Sequence, residues 1–220
     1  MPRFILLGGS FNPIHLGHLA FAEALARLDD VSQILAIPAA RNPFKDDTHL
    51  LPPAVRWEMV RLAFADMPKV AALDLELRRP APSYTIDTVC ELRTRFPAAR
   101  FDIALGWDAF QELKKWQSVE RLLALAGLLV VPRAGVSDGS RVRAEALACL
   151  PARWAHGLSA SAPGEWRDAE GRIVLSLLPF DLPEVSATRI WSERNWDQVP
   201  LAAREVLMRH LEAAARRPHP

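Results

Sequence analysis

Near the start of the chain, Gly8-Gly9-Ser10-Phe11-Asn12-Pro13-Ile14-His15-Leu16-Gly17-His18 gathers residue types suited to holding an anion. The segment follows a short apolar run, Phe4–Leu7, and leads into a pattern whose apolar positions include Phe21, Leu25 and Leu28. A strand thus feeds a helix through a glycine-rich turn. Two glycines at a strand end let the backbone approach a ligand with no Cβ in the way. A helix N-terminus adds unpaired N–H groups and a partial positive charge, a favourable seat for phosphate. His15 and His18 are three apart, so on the first helical turn both rings can face the same way. Gly17 between them lets a backbone or a flat ring come close. Imidazole donates hydrogen bonds to phosphate oxygens and, when protonated, offsets charge that develops on them. A lone Gly-Gly is usually a turn, and a lone histidine is usually a surface or satisfied core residue. Gly8, Gly9, Ser10, His15, Gly17 and His18 at one junction point instead to phosphate chemistry.

Such a cradle needs a rigid frame. Phe4–Leu7, Gln33–Ile37, Val70–Leu73, Phe101–Leu105, Leu128–Val131 and Ile173–Leu178 are short, almost continuously apolar runs. Strands buried on both faces of a parallel sheet read this way. Between them Val55, Met59 and Leu62, then Val89, Leu92 and Phe96, recur at helical spacing. The alternation predicts an α/β fold with a doubly wound parallel sheet, and ligands at the carboxyl ends of its strands. The loops after Leu7, Ile37, Leu105 and Val131 are therefore the places to search. Residues 134–171 read as one poorly defined helix followed by surface loop. Pro200 can open a last helix with Ala203, Leu207 and Leu211 on one face. The expectation is a single domain over 1–220, with 185–220 as a small helical C-terminal extension.

The chain has 220 residues, 50% of them hydrophobic, and a net charge of +1. That suits a globular fold with one sizeable core and carries no basic footprint for nucleic acid. Cys90 and Cys149 sit in unrelated contexts, without metal-ligand spacing, and read as reduced thiols. The start, MPRFILLGGSF, is too short for a signal peptide, and no later run reaches the length of a membrane span. A cytoplasmic protein with no membrane partner is expected; a homo-oligomer is left open.

The first loop resembles the GG[ST]F[DN]PxHxGH signature of the HxGH-motif nucleotidyltransferases. Among these it is most similar to the bacterial nicotinate (nicotinamide) mononucleotide adenylyltransferases. The resemblance implies a Rossmann-like nucleotidyltransferase fold, with His15 and His18 catalytic. It also implies ATP binding by Gly8, Gly9, Ser10, Phe11, His15, Gly17 and His18. Later motifs recur in the same order. In Pro38-Ala39-Ala40-Arg41-Asn42-Pro43-Phe44-Lys45, Asn42 and Lys45 fall where the family faces the acceptor nucleotide. Ser83-Tyr84-Thr85 resembles the PSYT element, an acceptor site by resemblance, although Ser83 or Thr85 would also serve as a helix cap. Gly106-Trp107-Asp108 resembles GxD, with Gly106 and Asp108 on the ATP side and Trp107 on the acceptor side. Trp116 matches the aromatic that stacks on the pyridine ring, and Arg133 a phosphate contact.

Val185-Ser186-Ala187-Thr188-Arg189-Ile190-Trp191 resembles I-S-[SA]-T-x-I-R, with Ser186, Thr188 and Arg189 assigned to ATP. The family's arginine falls on Trp191, a departure. Arg189 or Arg194 would reach the same phosphates only from other directions around the helix. The implied reaction joins nicotinate mononucleotide to ATP, giving nicotinate adenine dinucleotide and pyrophosphate for NAD biosynthesis. Mg2+ would travel with ATP, and no dedicated metal site is expected. The alternatives are nicotinamide mononucleotide or phosphopantetheine as acceptor, or a non-catalytic nucleotide-binding homologue.

Overall fold

Each of the six apolar runs becomes a strand. In the computed structural model, which describes residues 1–44, 49–132 and 140–216, they are β1 (Arg3–Gly9), β2 (Gln33–Pro38), β3 (Val70–Ala72), β4 (Arg100–Gly106), β5 (Gly127–Val131) and, counting in chain order past two further strands, β8 (Ile173–Leu177). Those two are β6 (Ser159–Ala162) and β7 (Glu165–Arg167). The helices are α1 (Leu16–Ala26), α2 (Pro53–Ala63), α3 (Thr85–Arg95), α4 (Trp107–Gln111), α5 (Val119–Leu125), α6 (Ser140–Ala148), α7 (Ala152–Gly157), α8 (Ala187–Glu193) and α9 (Leu201–Ala215). The elements fall into two compact units. One comprises Met1–Leu7, Asp30–Ser32 and Tyr84–Asp181; the other comprises Gly8–Asp29, Gln33–Ser83 and Leu182–Pro220.

In the first unit β1 pairs with β4, β4 with β5 and β5 with β8, all parallel. Every residue of β5 is buried, as a central parallel strand requires. Phe101, Ile103, Leu128, Leu129, Val174 and Leu175 make the core. One charge is sunk into it. Asp102 lies on β4 in register with Gly127 of β5 and accepts from Arg3 at 2.6 Å and Arg100 at 3.2 Å. A Cβ on Gly127 would overlap the Asp102 carboxylate, so glycine there is a steric requirement.

The sheet then turns antiparallel through β7 and β6. This corrects the reading of 134–171 as one helix and a surface loop, for it holds α6, α7 and a hairpin. The hairpin escapes the periodicity because all four β6 residues are exposed and β7 has only three, of which Trp166 alone is buried. In β3 no residue is fully buried, so the expectation of burial on both faces fails there.

In the second unit β2 and β3 pair in parallel, and α1 and α2 pack on β2. Pro53 occupies the first turn of α2, where a missing N–H costs nothing. The buried residues of α2 are Arg56, Met59 and Val60, so the inward stripe is rotated from the expected Val55–Met59–Leu62. α9 starts after Pro200 and packs on α2 through Ala203, Val206 and Leu207.

Candidate active site

β1 ends at Gly9, and the chain turns through Ser10, Phe11 and Asn12 into a cis Asn12–Pro13 bond. No atom lies within 4 Å of where a Gly8 Cβ would stand, whereas one on Gly9 would meet the Phe11 ring at 3.5 Å. Phe11 itself has φ of 46°, a left-handed backbone unusual for a bulky side chain. Its ring is buried, at 1% exposure, with its centroid 4.8 Å from that of His18. Phe11 thus faces the core and can serve a ligand only through its backbone.

The histidines meet, by a route the spacing alone did not reveal. His15 stands outside α1 as its N-cap, in extended conformation, and His18 lies in the first turn. The His15 N–H donates to His18 Nδ1 at 3.2 Å, and the rings stack at 3.7 Å with 28° between their planes. An Nδ1 that accepts a backbone N–H carries no proton, so His18 is the neutral tautomer with its proton on Nε2. Gly17 makes this possible, since a Cβ there would sit 3.1 Å from His15 Nδ1 and 3.4 Å from Val185 Cβ. The flat ring for which glycine leaves room is that of His15.

Three side chains hold the loop from behind. The Asn12 amide donates to His49 O at 3.0 Å and accepts from Leu51 N at 2.9 Å. Arg56 is completely buried and donates to Leu51 O, Ser10 O, Ala39 O and Ala40 O at 2.6–3.0 Å. It ties the loop after β1 to the loop after β2, and those carbonyls satisfy a charge taken out of water. The third is Trp191, whose indole N–H donates to Asn12 O at 2.9 Å. The residue that stands where the motif has arginine turns its donor onto the signature loop. Sequence reasoning missed Arg56. Its one signal was a charge at i−3 and i−4 from Met59 and Val60, the buried pair of α2.

The remaining residues fall out as follows. Ser83 Oγ accepts from Ala40 N at 2.9 Å, and its N–H donates to Arg41 O at 2.9 Å. It braces the loop after β2 instead of capping α3, whose N-cap is Tyr84 with Thr85 next. Asn42 closes a local turn by accepting from Phe44 N at 2.9 Å. Ser186 is the N-cap of α8, and both it and Thr188 are exposed. Arg189, also exposed, pairs with Glu193 at 3.2 Å. In the first unit a Gly106 Cβ would have no neighbour within 4 Å, and Asp108 is exposed in the first turn of α4. Trp107, expected on the acceptor side, is buried, with its ring 5.7 Å from that of Phe110. Trp116 is half-buried after a single 3-10 turn at Leu113–Lys115. Lys45 and Arg133 lie outside the described residues. Among the described residues no group of three or more His, Cys, Asp or Glu could hold a metal ion, and no helix is long and apolar enough to cross a membrane.

An α/β frame with paired histidines at a glycine-rich strand-to-helix turn defines a nucleotidyltransferase class, and the chain belongs to the cytidylyltransferase-like family, whose model matches residues 6–192. Within it, the chain is similar to proteins that carry the name "Probable nicotinate-nucleotide adenylyltransferase". The chain is 39% identical over 151 residues to the protein so named from Synechococcus sp. (strain JA-3-3Ab), covering 69% of this chain and 73% of that one. It is 39% identical over 148 residues to that from Roseiflexus sp. (strain RS-1), covering 67% and 74%. Its fold is similar to that of Plasmodium falciparum nicotinic acid mononucleotide adenylyltransferase complexed with NaAD, with a TM-score of 0.69 and 14% identity over 96% of both chains. At that identity the likeness speaks for the fold, and it bears out the Rossmann-like α/β expectation.

Proposed function

We propose that the protein transfers the adenylyl group of ATP to nicotinate mononucleotide, forming nicotinate adenine dinucleotide and pyrophosphate in NAD biosynthesis. The observation that carries this reading is the His15–His18 pair. A backbone bond on Nδ1 leaves His18 Nε2–H as a fixed donor beside an open glycine turn and a helix N-terminus. The names of the relatives supply the acceptor.

In this reading an acceptor phosphate oxygen attacks the α-phosphorus of ATP in line, and the bond to the pyrophosphate oxygen breaks. The acceptor phosphate is already an anion near neutral pH, so the chain need not supply a general base. Catalysis then rests on positioning and charge stabilisation. His18 Nε2–H and the backbone N–H groups at the start of α1 donate to phosphate oxygens as charge shifts toward pyrophosphate. Gly8, Gly9 and Ser10 give close backbone approach, and Ser186 and Thr188 offer exposed hydroxyls. Asp108 would accept from ribose hydroxyls, and Trp116 would stack on the pyridine ring. Mg2+ comes with ATP, held by phosphate oxygens and water.

The family match runs through both compact units, which supports their working as one nucleotidyltransferase domain. A cytoplasmic location suits a chain with this reaction. The deciding assay is pyrophosphate release from Mg-ATP with nicotinate mononucleotide, nicotinamide mononucleotide and phosphopantetheine side by side. Nicotinate mononucleotide is expected to give the highest kcat/KM. No release with any acceptor would overturn the reading, and preference for another acceptor would correct it.

A further inference from the structure

Two backbone carbonyls flank Phe11, and each is held by a side chain from a distant part of the second unit. Ser10 O accepts from Arg56 of α2 at 2.9 Å, and Asn12 O accepts from Trp191 of α8 at 2.9 Å. Between them Phe11 keeps its left-handed φ of 46° and its ring lies against His18. A backbone state of that kind in an aromatic residue persists only where its surroundings over-determine it. Trp191 is itself held. Its ring meets Trp196 edge-on, with centroids 5.3 Å apart and planes at 84°.

We infer that Trp191 is a positioning residue of the cradle: its indole N–H fixes Asn12 O, which holds Phe11 in place and through it the His18 ring. The inference rests on the adenylyl-transfer reading for its kinetic consequence, but not for its geometry. The indole supplies one neutral, directed donor and ties α8 to the loop 179 residues earlier.

Trp191→Phe removes the N–H and keeps a ring against Trp196. We expect kcat for pyrophosphate release to fall roughly fivefold to tenfold, the worth of one hydrogen bond. KM for ATP should change by less than about twofold, because the ground-state contacts remain. A residue that acts through His18 loses its effect when His18 is gone. In the His18→Ala background, Trp191→Phe should therefore alter kcat by less than about twofold. Equal losses in both backgrounds, or no loss in the single variant, would overturn the proposal.

Two further readouts need no turnover. The 15N resonances of the His18 ring should move in Trp191→Phe, while those of His156 and His210 stay put. In the unaltered protein the Trp191 indole N–H should exchange with solvent far more slowly than a free indole; exchange at the free rate would also overturn the proposal. If the wild-type protein released no pyrophosphate, the functional reading would fall, and these two measurements would still decide the positioning role.

Discussion

His18 accepts on Nδ1 from the backbone of the very residue whose ring it stacks on, so one neighbour fixes both the ring's orientation and the nitrogen that faces away. His18→Ala should lower kcat by one to three orders of magnitude, about 1.4–4 kcal/mol, as for loss of a preorganised donor. Thermal unfolding of the variant should stay close to wild type, and wild-type turnover by folded His18→Ala would remove His18 from the chemistry. Arg56 carries a different kind of consequence. Arg56→Met keeps the stem and leaves at least four carbonyls short of a donor. Some of them can recruit water, so we expect a loss of about 2–4 kcal/mol in urea unfolding. A change below about 0.5 kcal/mol would mean that the guanidinium is dispensable there. The His-x-Gly-His spacing was legible because it is local and chemically unusual. Arg56 was not, because its partners lie up to 46 residues away, and periodicity cannot tell which carbonyls a charge will find.

At the scale of elements, apolar runs mark strands well when both faces are covered, as for β4 and β5, and poorly at the margins of the sheet. The β6–β7 hairpin has one buried anchor, Trp166, and leaves no alternation to read. Helix faces were legible to within a rotation: α2 buries Arg56 and Val60 where Val55 and Leu62 were expected. The β4–β5 pairing also shows a constraint that composition hides, the space reserved beside Asp102. Gly127→Ala adds a single methyl group against that carboxylate and 3.0 Å from Ile173 O. It should cost on the order of 1–3 kcal/mol by overpacking, read as a lower urea midpoint with little change in slope. An unchanged midpoint would show that the strands can shift apart at no cost.

Over the whole molecule, neither compact unit is a continuous stretch of sequence. The second gathers its parts from three stretches, and α9 closes it by covering α2 with Ala203, Val206 and Leu207. Val206 and Leu207 should each contribute about 1.5–3 kcal/mol of burial. Ending the chain after Pro200 should therefore cost at least about 3–6 kcal/mol and lower Tm markedly; an unchanged Tm would show that α9 is an accessory. That division was not legible in the sequence, since long-range packing leaves no local periodicity. The bond from Trp191 to Asn12 adds an order in time. On the ribosome the indole partner is made 179 residues after the glycine turn, roughly 10–40 s at ordinary rates of bacterial synthesis. Throughout that interval the nascent chain carries its signature loop without the latch, so the glycine turn is made long before the bond that secures it can form.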